Sequence, residues 1–482
     1  MIGGAPMRED RKNAGKIVLI TLDAVRADHM SIYGYKRKTT PKLEKYTREF
    51  ARFAWAFAPC SYTAPSHASI LTGRYPSFHE LGFFNAPGKA RLTSSVAAVL
   101  QGLGYKTAAF VSTIVLSRKT GLDVGFELYD DECTRLEANR PETLWRRGAD
   151  TLNAALQWFG SNRRENCFLW IHLMDAHGPY SPPEPFDQLF VRDQHWKEAR
   201  HLDYVRDGEV GGIPSYQVLR ARRDASGALL EYERDWNYYV SQYDGCIRYL
   251  DQIVGQFIDD IKKQGNWDDT LLIITADHGE AMGENDVFFF HGLTVTPDQV
   301  RVPLLLKPPK RLKMRSRLLD GPVSALDIAP TILEATGYDC SFLGAQGRSL
   351  WSELANGKVT SSRFVFSEME SQCALVTDPY HYLAPKPEPT SREYNFNVPP
   401  ALRREMLFEY PKDPSGMHDI SSGEQLLARL RPILQQYMTI AQLAHNRIRG
   451  TRNEDEREPA PSSLSPDDES SIRRRLARLG YE

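Results

Sequence analysis

Two short runs of apolar and β-branched residues constrain the fold of this chain more than any other feature. Residues 16–23 read Lys-Ile-Val-Leu-Ile-Thr-Leu-Asp, and residues 270–280 read Thr-Leu-Leu-Ile-Ile-Thr-Ala-Asp-His-Gly-Glu. Such runs are typical of strands that are buried on both faces of a parallel sheet. Further strands are predicted at 106–111 and 167–173, with helical stretches between them. The pattern predicts an α/β fold whose mostly parallel sheet is flanked by helices.

Both runs end on residues that commonly bind metals. Asp23 ends the first run, and Asp277 and His278 end the second. Functional sites of open α/β sheets form outside the carboxyl ends of the strands, so these three side chains are expected to meet. Carboxylates and an imidazole together suit a divalent cation, which we predict here without choosing among Zn, Mn, Ca and Mg. An aspartate in a turn or helix cap is the common alternative for each position taken alone.

The stretch 59–76 supplies a hydroxyl group that such a metal can activate. It reads Pro-Cys-Ser-Tyr-Thr-Ala-Pro-Ser-His-Ala-Ser-Ile-Leu-Thr-Gly-Arg-Tyr-Pro, and we predict Thr63 as the N-cap of a helix with Pro65 in its first turn. The hydroxyl group would then lie where the helix end favours an anion. This arrangement suits a nucleophile that attacks a phosphate or sulfate ester, with Thr63 as a further metal ligand. An ordinary helix cap is the alternative.

The composition is that of a globular enzyme. The chain has 482 residues, 25% of them charged, and a formal net charge of -2, so no basic excess points to nucleic acid or to an anionic membrane. No run approaches the roughly 20 apolar residues of a membrane span, and residues 1–16 are polar. The six cysteines are scattered without paired spacing, which favours free thiols. These features predict a cytoplasmic protein.

Changes of pattern along the chain predict its organisation. Residues 1–14 are expected to be a flexible N-terminus, and 15–348 a catalytic domain with an insertion at about 191–234 near the mouth of the site. Short extended segments predict a small antiparallel C-terminal subdomain at 349–448. Residues 449–482 are predicted as a polar linker followed by a last helix that begins near Ser465.

Several motifs in order resemble the sulfatase family of the alkaline phosphatase superfamily, and the resemblance covers nearly the whole chain. It implies an alkaline phosphatase-like α/β fold with a smaller C-terminal antiparallel subdomain. The matching segments are 22–28 with 33–35 and 40–41, 63–67 with 71–76, 172–180, 277–280 with 291–292, 327–331 and 475–481.

The chain also departs from that family at chemically important positions. Sulfatases convert a Cys or Ser nucleophile to formylglycine, and Thr63 cannot form that aldehyde. His67 stands where the motif has arginine, and Ala24 replaces the second of two aspartates. The sulfate-binding Gly-Lys-Trp-His stretch corresponds here to residues 108–112, which read Ala-Ala-Phe-Val-Ser, and His291 stands near a family lysine.

In its threonine at the nucleophile position and its later histidine, the chain resembles phosphodiesterases, phosphonate hydrolases and the phosphoethanolamine and phosphoglycerol transferases of the same superfamily. A threonine sulfate ester has no collapse back to an aldehyde, whereas a threonyl phosphate can be cleaved by metal-assisted attack of water. In the phosphoethanolamine transferases, histidines that match His177 and His291 hold a second metal. The resemblance therefore implies one divalent ion and a possible second one.

We therefore predict a metal-dependent hydrolase that cleaves phosphoric (di)ester or related ester bonds through a covalent intermediate on Thr63. Its expected substrate is a small molecule, or a phospho- or sulfo-ester derived from a glycan or lipid. Three alternatives stay open: a sulfuric ester hydrolase, a phosphoethanolamine- or phosphoglycerol-type transferase, and a non-catalytic binding protein on the same fold. The predicted site residues are Thr63, His177 and His291 in catalysis, His177 and His67 in substrate binding, and Asp23, Thr63, Asp277 and His278 around the metal, with His177 and His291 around a second one.

Overall fold

The structure, a computed structural model, describes most of the chain. The described residues are 15–79, 81, 92–140, 143–191, 200–206, 209–224, 229–312, 314, 317–338, 343–359, 363–387, 398 and 402–455. The predicted N-terminal segment 1–14 and the last helix predicted from Ser465 lie outside them.

A nine-stranded mixed sheet forms the centre of the molecule. Its strands are β1 (Lys16–Leu22), β2 (Ala51–Phe57), β3 (Lys106–Phe110), β4 (Leu128–Asp130), β5 (Cys167–Leu173), β6 (Thr270–Ala276), β7 (Arg301–Val302), β8 (Leu304–Lys307) and β9 (Leu318–Ser324). Their order is β9-β2-β8-β6-β1-β5-β3-β4, and β7 pairs with β2 in continuation of β8. The pairs from β6 through β1, β5 and β3 to β4 are parallel, and β8 and β7 run antiparallel to their neighbours. The predicted fold class is confirmed.

The strands predicted from apolar runs lie in the middle of this sheet. All seven residues of β1, β5 and β6 are buried, because helices cover both faces. Each fully buried Leu, Ile or Val side chain there stabilises the fold by roughly 1.5–3 kcal/mol. Leu22 is in register with Ala276 on one side and with Leu173 on the other. The residues that follow these three strands therefore emerge side by side at one edge.

The described residues contain nine α-helices. They are α1 (Pro41–Glu44), α2 (Thr63–Thr72), α3 (Val96–Gly102), α4 (Gly148–Ser161), α5 (Trp236–Lys263), α6 (Pro297–Val300), α7 (Ile328–Ala335), α8 (Trp351–Asn356) and α9 (Glu424–Asp455). Short paired strands at the carboxyl edge join Arg135–Leu136 with Leu144–Trp145, Tyr204–Val205 with Ile213–Pro214, Arg222–Arg223 with Leu229–Glu231, and Ala281–Met282 with Phe288–Phe290. None of the helices in these ranges has both the length and the apolar composition needed to cross a membrane.

A second sheet forms the C-terminal part of the chain. Strands β10 (Val365–Glu368), β11 (Gln372–Thr377), β12 (Tyr380–Pro385) and β13 (Met406–Glu409) are antiparallel in that order. Helix α9 packs on this sheet, with the rings of Phe366 and Tyr437 stacked at 4.0 Å. The helix continues to Asp455, so the linker predicted from residue 449 is wrong for residues 449–455. The reason is that arginine and glutamate in this stretch are good helix formers, so that the helix continues through Gly450 despite the low helix propensity of glycine.

Candidate active site

Thr63 is the first residue of helix α2 and is 2% exposed. The predicted N-cap position is wrong, because Tyr62 occupies it, without a capping side-chain bond. The hydroxyl group of Thr63 is instead directed at the end of β6, with Oγ1 3.2 Å from Nε2 of His278. A capping threonine would have turned its hydroxyl group towards the helix backbone. Its position therefore frees the hydroxyl group for chemistry.

The three predicted metal ligands meet beside Thr63. Nε2 of His278 lies 3.7 Å from Oδ1 of Asp23 and 3.5 Å from Oδ2 of Asp277. Asp23, Asp277 and His278 form one of two described groups in which three potential ligand atoms lie close enough to share an ion. The ring of His278 is oriented by Nδ1, which donates to the carbonyl of Gly279 at 2.8 Å, so Nε2 carries the free lone pair.

This group fits a divalent cation. Oδ1 of Asp23 and Oδ2 of Asp277 are buried and accept no hydrogen bond from any described residue. Burial raises the pKa of Asp23, and burial together with the neighbouring Asp23 raises the pKa of Asp277. Two buried carboxylates with unsatisfied oxygens are costly, and a cation between them removes that cost. Oxygen ligands with one imidazole suit a hard or borderline divalent metal.

The backbone of Ala24 helps to hold the carboxylate of Asp277 in place. Its φ of 58° is in the left-handed region, which non-glycine residues rarely adopt. In this conformation the backbone N–H of Ala24 donates to Oδ1 of Asp277 at 3.2 Å, and the N–H of His278 donates to the same oxygen at 2.9 Å. These two hydrogen bonds, the first of which depends on the strained backbone of Ala24, leave Oδ2 of Asp277 directed towards the cation site.

Two buried histidines lie behind the metal ligands. Nε2 of His172 donates to Oδ2 of Asp23 at 3.2 Å, and Nδ1 of His67 lies 3.7 Å from Oδ2 of Asp277. His67 also donates from Nδ1 to the carbonyl of Thr63 at 2.7 Å, so Nε2 accepts from the hydroxyl group of Thr21 at 2.9 Å. His67 is fully buried and does not line the cavity in front of Thr63. The substrate contact predicted for it therefore has no counterpart in the structure, because the helical turn directs its ring into the sheet.

We expect His172→Ala to weaken metal binding by about 10–100-fold, as is usual when a residue that orients a metal ligand is lost. The reason is that Asp23 loses the hydrogen bond that fixes its carboxylate. Metal affinity is measured by titrating the metal-free protein, and turnover should recover when the metal concentration is raised. His381→Ala is the matched control. His381, in β12, is equally buried, but it is hydrogen bonded to the carbonyl of Val295 and does not contact a predicted metal ligand. Unchanged affinity in a folded His172 variant would contradict this role.

His177 and His291 face each other across the cavity in front of Thr63. Their ring centroids are 5.1 Å apart, and His291 is 4.2 Å from the ring of His278. Nδ1 of His177 donates to the carbonyl of Gly178 at 2.7 Å, and Nδ1 of His291 is hydrogen bonded to Oε1 of Glu280 at 3.2 Å. Burial lowers the pKa of His177 to about 3 and also lowers that of His291. Within the described residues, neither histidine belongs to a group of three potential metal ligands, so the predicted second metal site has two ligands without a third.

Arg140 completes the cavity and has no counterpart in the sequence-based prediction. Its side chain is 6% exposed, and its guanidinium lies 3.6 Å from the ring centroid of Tyr216. Tyr216 belongs to the predicted insertion and donates its hydroxyl to the carbonyl of Phe289. A lone arginine in a loop carries no sequence signal, so only the fold reveals it. The cavity is lined by Asp23, Tyr62, Thr63, Thr113, Val115, Arg140, Met174, His177, Tyr216, Phe290 and His291.

The chain is similar to known proteins in sequence and in fold. The chain is 24% identical over 413 residues to the multifunctional alkaline phosphatase superfamily protein PehA of Trinickia caryophylli, covering 73% of this chain and 79% of that protein. It is 24% identical over 415 residues to the N-acetylglucosamine-6-O-sulfatase of Bacteroides thetaiotaomicron, covering 73% and 72%. The phosphonate monoester hydrolase of Agrobacterium radiobacter superposes with a TM-score of 0.63 at 18% identity, covering 89% of this chain and 96% of that one.

The family model named Sulfatase matches residues 16–338, which is more than half of the chain. The matched range begins at β1, contains Thr63 and ends just after α7, so it includes every residue of the site described above. On this evidence, the chain belongs to the sulfatase family of the alkaline phosphatase superfamily.

Proposed function

We propose that the chain is a divalent-metal-dependent ester hydrolase in which Thr63 is the nucleophile. The observation that carries the proposal is the hydroxyl group of Thr63, 3.2 Å from His278 and beside two buried carboxylate oxygens that no described residue satisfies. Asp23, Asp277, His278 and Thr63 would hold the metal. When bound, such an ion lowers the pKa of a ligand hydroxyl group and neutralises charge on the substrate.

The remaining residues bind the ester and handle its protons. Thr63 Oγ1 attacks the sulfur or phosphorus atom, the bond to the leaving oxygen breaks, and water then cleaves the ester formed on Thr63. Arg140 binds the non-bridging oxygens as a buried cation. Nε2 of His177 and of His291 are the ring nitrogens available to the cavity. Because Nδ1 of His177 carries the ring proton and burial lowers the pKa of this histidine, its Nε2 can accept a proton from the attacking water, while the leaving oxygen is protonated by solvent. An adjoining cavity of about 170 Å³, lined by Trp145, Met174 and His177 among others, offers room for a small leaving group.

Sulfuric esters are the substrate class that the family relationship supports best. The matching family model is Sulfatase, and the relative from Bacteroides thetaiotaomicron is named for removing a sulfate group from a sugar. On this proposal the substrate is a small molecule or a glycan that carries a sulfate ester. Hydrolysis would proceed through Thr63 itself, since threonine cannot be converted to formylglycine.

Phosphorus esters are the second candidate, and Thr63 is the specific observation that favours them. Water and a metal can cleave a threonyl phosphate, whereas a threonyl sulfate lacks the exit that formylglycine provides. One solved structure with the same fold is that of a phosphonate monoester hydrolase, and this supports the second candidate. Transfer of the group to an alcohol instead of water is the corresponding transferase variant.

A substrate panel distinguishes these candidates. We expect turnover of at least one aryl ester among sulfate, phosphate monoester, phosphate diester and phosphonate monoester, each assayed with Zn, Mn, Ca and Mg. The chemistry of Thr63 predicts a higher kcat/KM for a phosphorus ester than for aryl sulfate, whereas the family relationship predicts the reverse. Product analysis with an added alcohol separates hydrolysis from transfer. If none of the esters is turned over with any metal, the protein is a binding protein on this fold.

We expect Arg140→Gln to raise KM and to lower kcat/KM by about 10–100-fold for every ester that the wild type accepts, because one charge-assisted contact to the oxyanion is lost. Arg140→Lys should recover part of that loss, since it restores the charge. Steady-state kinetics on the best substrate of the panel provide the measurement. Arg222→Gln is the control, because Arg222 is an exposed arginine paired with Glu231 outside the site. Wild-type kinetics in a folded Arg140→Gln variant would remove Arg140 from the binding of the oxyanion.

A further inference from the structure

A second and larger cavity lies beside the active site. Its volume is about 890 Å³, within the usual range for sites that bind small organic molecules. We call it the arginine cavity and define it by Arg26, Asp28, Arg52, Trp55, Glu284 and Arg301. Among the described residues it has no lining residue in common with the cavity in front of Thr63. Any ligand it holds would therefore occupy a separate site.

Arg301 is the group in this cavity whose bonding is incomplete. Its side chain is 8% exposed, and its guanidinium lies 4.2 Å from the ring centroid of Trp55. Nη2 donates to the carbonyl of Ala54 at 3.3 Å, but Nε is buried and has no hydrogen-bond partner among the described residues. Burial lowers the pKa of Arg301, although an arginine stays charged at neutral pH. A buried charged donor without an acceptor is costly unless something else satisfies it.

Arg52 repeats the same pattern on the neighbouring strand. Nη1 donates to the carbonyl of Ile32, whereas the buried Nε has no partner within the described part of the chain. Both guanidinium groups belong to side chains that line one cavity, although their unsatisfied Nε atoms are themselves buried. Since guanidinium donors match oxyanions in charge and geometry, the pair favours a phosphate or sulfate group over a neutral ligand.

The carboxylates in this cavity are paired with Arg26 and offset only part of the remaining positive charge, since Asp28 also acts on Arg301. Arg26 pairs with Asp28 at 2.8 Å and with Glu284 at 2.8 Å. Arg52, Arg301 and Lys36 remain, so the lining carries four cationic side chains against two carboxylates. The resulting positive field favours an anion, because a low-dielectric cavity strengthens such interactions.

Access to the cavity and its apolar wall suit an organic anion. Gly34 and Lys36 are exposed at its edge, so the cavity opens to solvent. Trp55, Trp236 and Val240 supply apolar surface for the carbon part of a ligand. The volume is also much larger than a lone phosphate or sulfate ion requires.

We propose that the arginine cavity binds a second molecule, an organic anion whose phosphate or sulfate group is held by Arg301 and Arg52. Its carbon part lies against Trp55. The proposal is independent of which ester Thr63 attacks, because the site is formed by other residues.

Naphthalene-1-sulfonate is a suitable probe, because it carries an oxyanion and a flat ring and has no ester bond to hydrolyse. We expect calorimetric titration of the metal-loaded wild type to include a binding event that Arg301→Gln weakens by about tenfold or more, as loss of a charge-assisted bond implies. Arg140→Gln, in the active site, should leave that event unchanged. The exposed Arg222→Gln is the control for the loss of one positive charge. A titration that Arg301→Gln leaves unaltered, or that Arg140→Gln abolishes, would overturn the proposal.

A crystallographic measurement keeps the test decisive if Arg301→Gln does not fold. Wild-type crystals soaked in selenate, an isostere of sulfate, should give an anomalous selenium peak beside the guanidinium group of Arg301. Parallel soaks with inorganic phosphate and with naphthalene-1-sulfonate distinguish a site for a free ion from a site for an organic anion. Electron density for water alone in the arginine cavity after all three soaks would refute the proposal.

Discussion

Replacing Thr63 with alanine is expected to lower kcat/KM by at least about three powers of ten, because removing a covalent nucleophile has effects of that order. The loss should occur without loss of the fold. The side chain is small, it forms no helix cap, and its hydroxyl group contacts only His278 among the described residues. Thr63→Ser should keep a measurable part of the activity, since it preserves the hydroxyl group. Steady-state kinetics on the best ester of the panel and the thermal midpoint of unfolding provide the two measurements.

The control for this variant lies in the same helix. Thr72, at the other end of α2, is also buried, and its hydroxyl group donates to the carbonyl of Ala68 at 2.7 Å. The same hydroxyl group accepts from the N–H of Arg74, so Thr72→Ala should cost about 1–3 kcal/mol of stability for two hydrogen bonds and leave turnover near the wild-type level. Near-normal turnover by folded Thr63→Ala protein would exclude Thr63 as the nucleophile. The function would then have to rest on attack by water or on binding alone.

Removal of the metal is expected to have an effect of similar size. Exhaustive chelation should abolish turnover, and adding back the correct divalent ion should restore it. Asp277→Asn should reproduce the chelated state, because it removes one of the two carboxylates and retains Oδ1 as the acceptor for Ala24 and His278. Elemental analysis of the purified variants gives the metal content, and thermal unfolding with and without the ion gives the stabilisation by the ligand.

The stability of the metal-free Asp277→Asn variant distinguishes a metal site from an ordinary buried carboxylate. Burial raises the pKa of both Asp23 and Asp277, so the metal-free wild type carries two closely spaced carboxylates at a cost in stability. Metal-free Asp277→Asn should therefore be at least as stable as the metal-free wild type, although it gains nothing from the ion. Asp419→Asn is the control: burial raises the pKa of Asp419, but hydrogen bonds from the N–H of Leu407, from Arg404 and from the N–H of Ser421 lower it overall, so loss of this carboxylate should destabilise the protein with or without metal. Full activity of a protein shown to be metal-free would refute the metal-dependent mechanism.

The fold and the first set of ligands could be predicted because their signal is local. A run such as that of β1 has no polar residue to expose, so it must lie in the middle of a sheet, and all seven of its residues are buried. Asp23 and Asp277 follow two such runs, and parallel strands end at the same edge, which brings the two carboxylates together. The prediction for Thr63 was correct about its place at a helix start and wrong about its capping role. Capping depends on backbone angles that the residue type does not determine.

The parts that could not be predicted depend on contacts between distant segments. Arg140 comes from a loop and Tyr216 from the insertion, and each residue type is common outside functional sites. His172 lies within the apolar run of β5, where nothing in the sequence distinguishes a histidine behind Asp23 from one that only packs. His67 was placed near the substrate by its distance from Thr63 along the chain. The helix instead directs its ring towards Thr21.

The sequence by itself determined the α/β class, the central strands and the chemical types of the groups at their ends, because burial and strand direction follow from local patterns of residues. Only the tertiary structure decided which histidines face the cavity, which arginine meets the ester, and that two further arginines line a separate cavity. Side-chain direction and the pairing of charges across distant segments are set by the packing of the whole chain, and no short stretch of sequence contains that information.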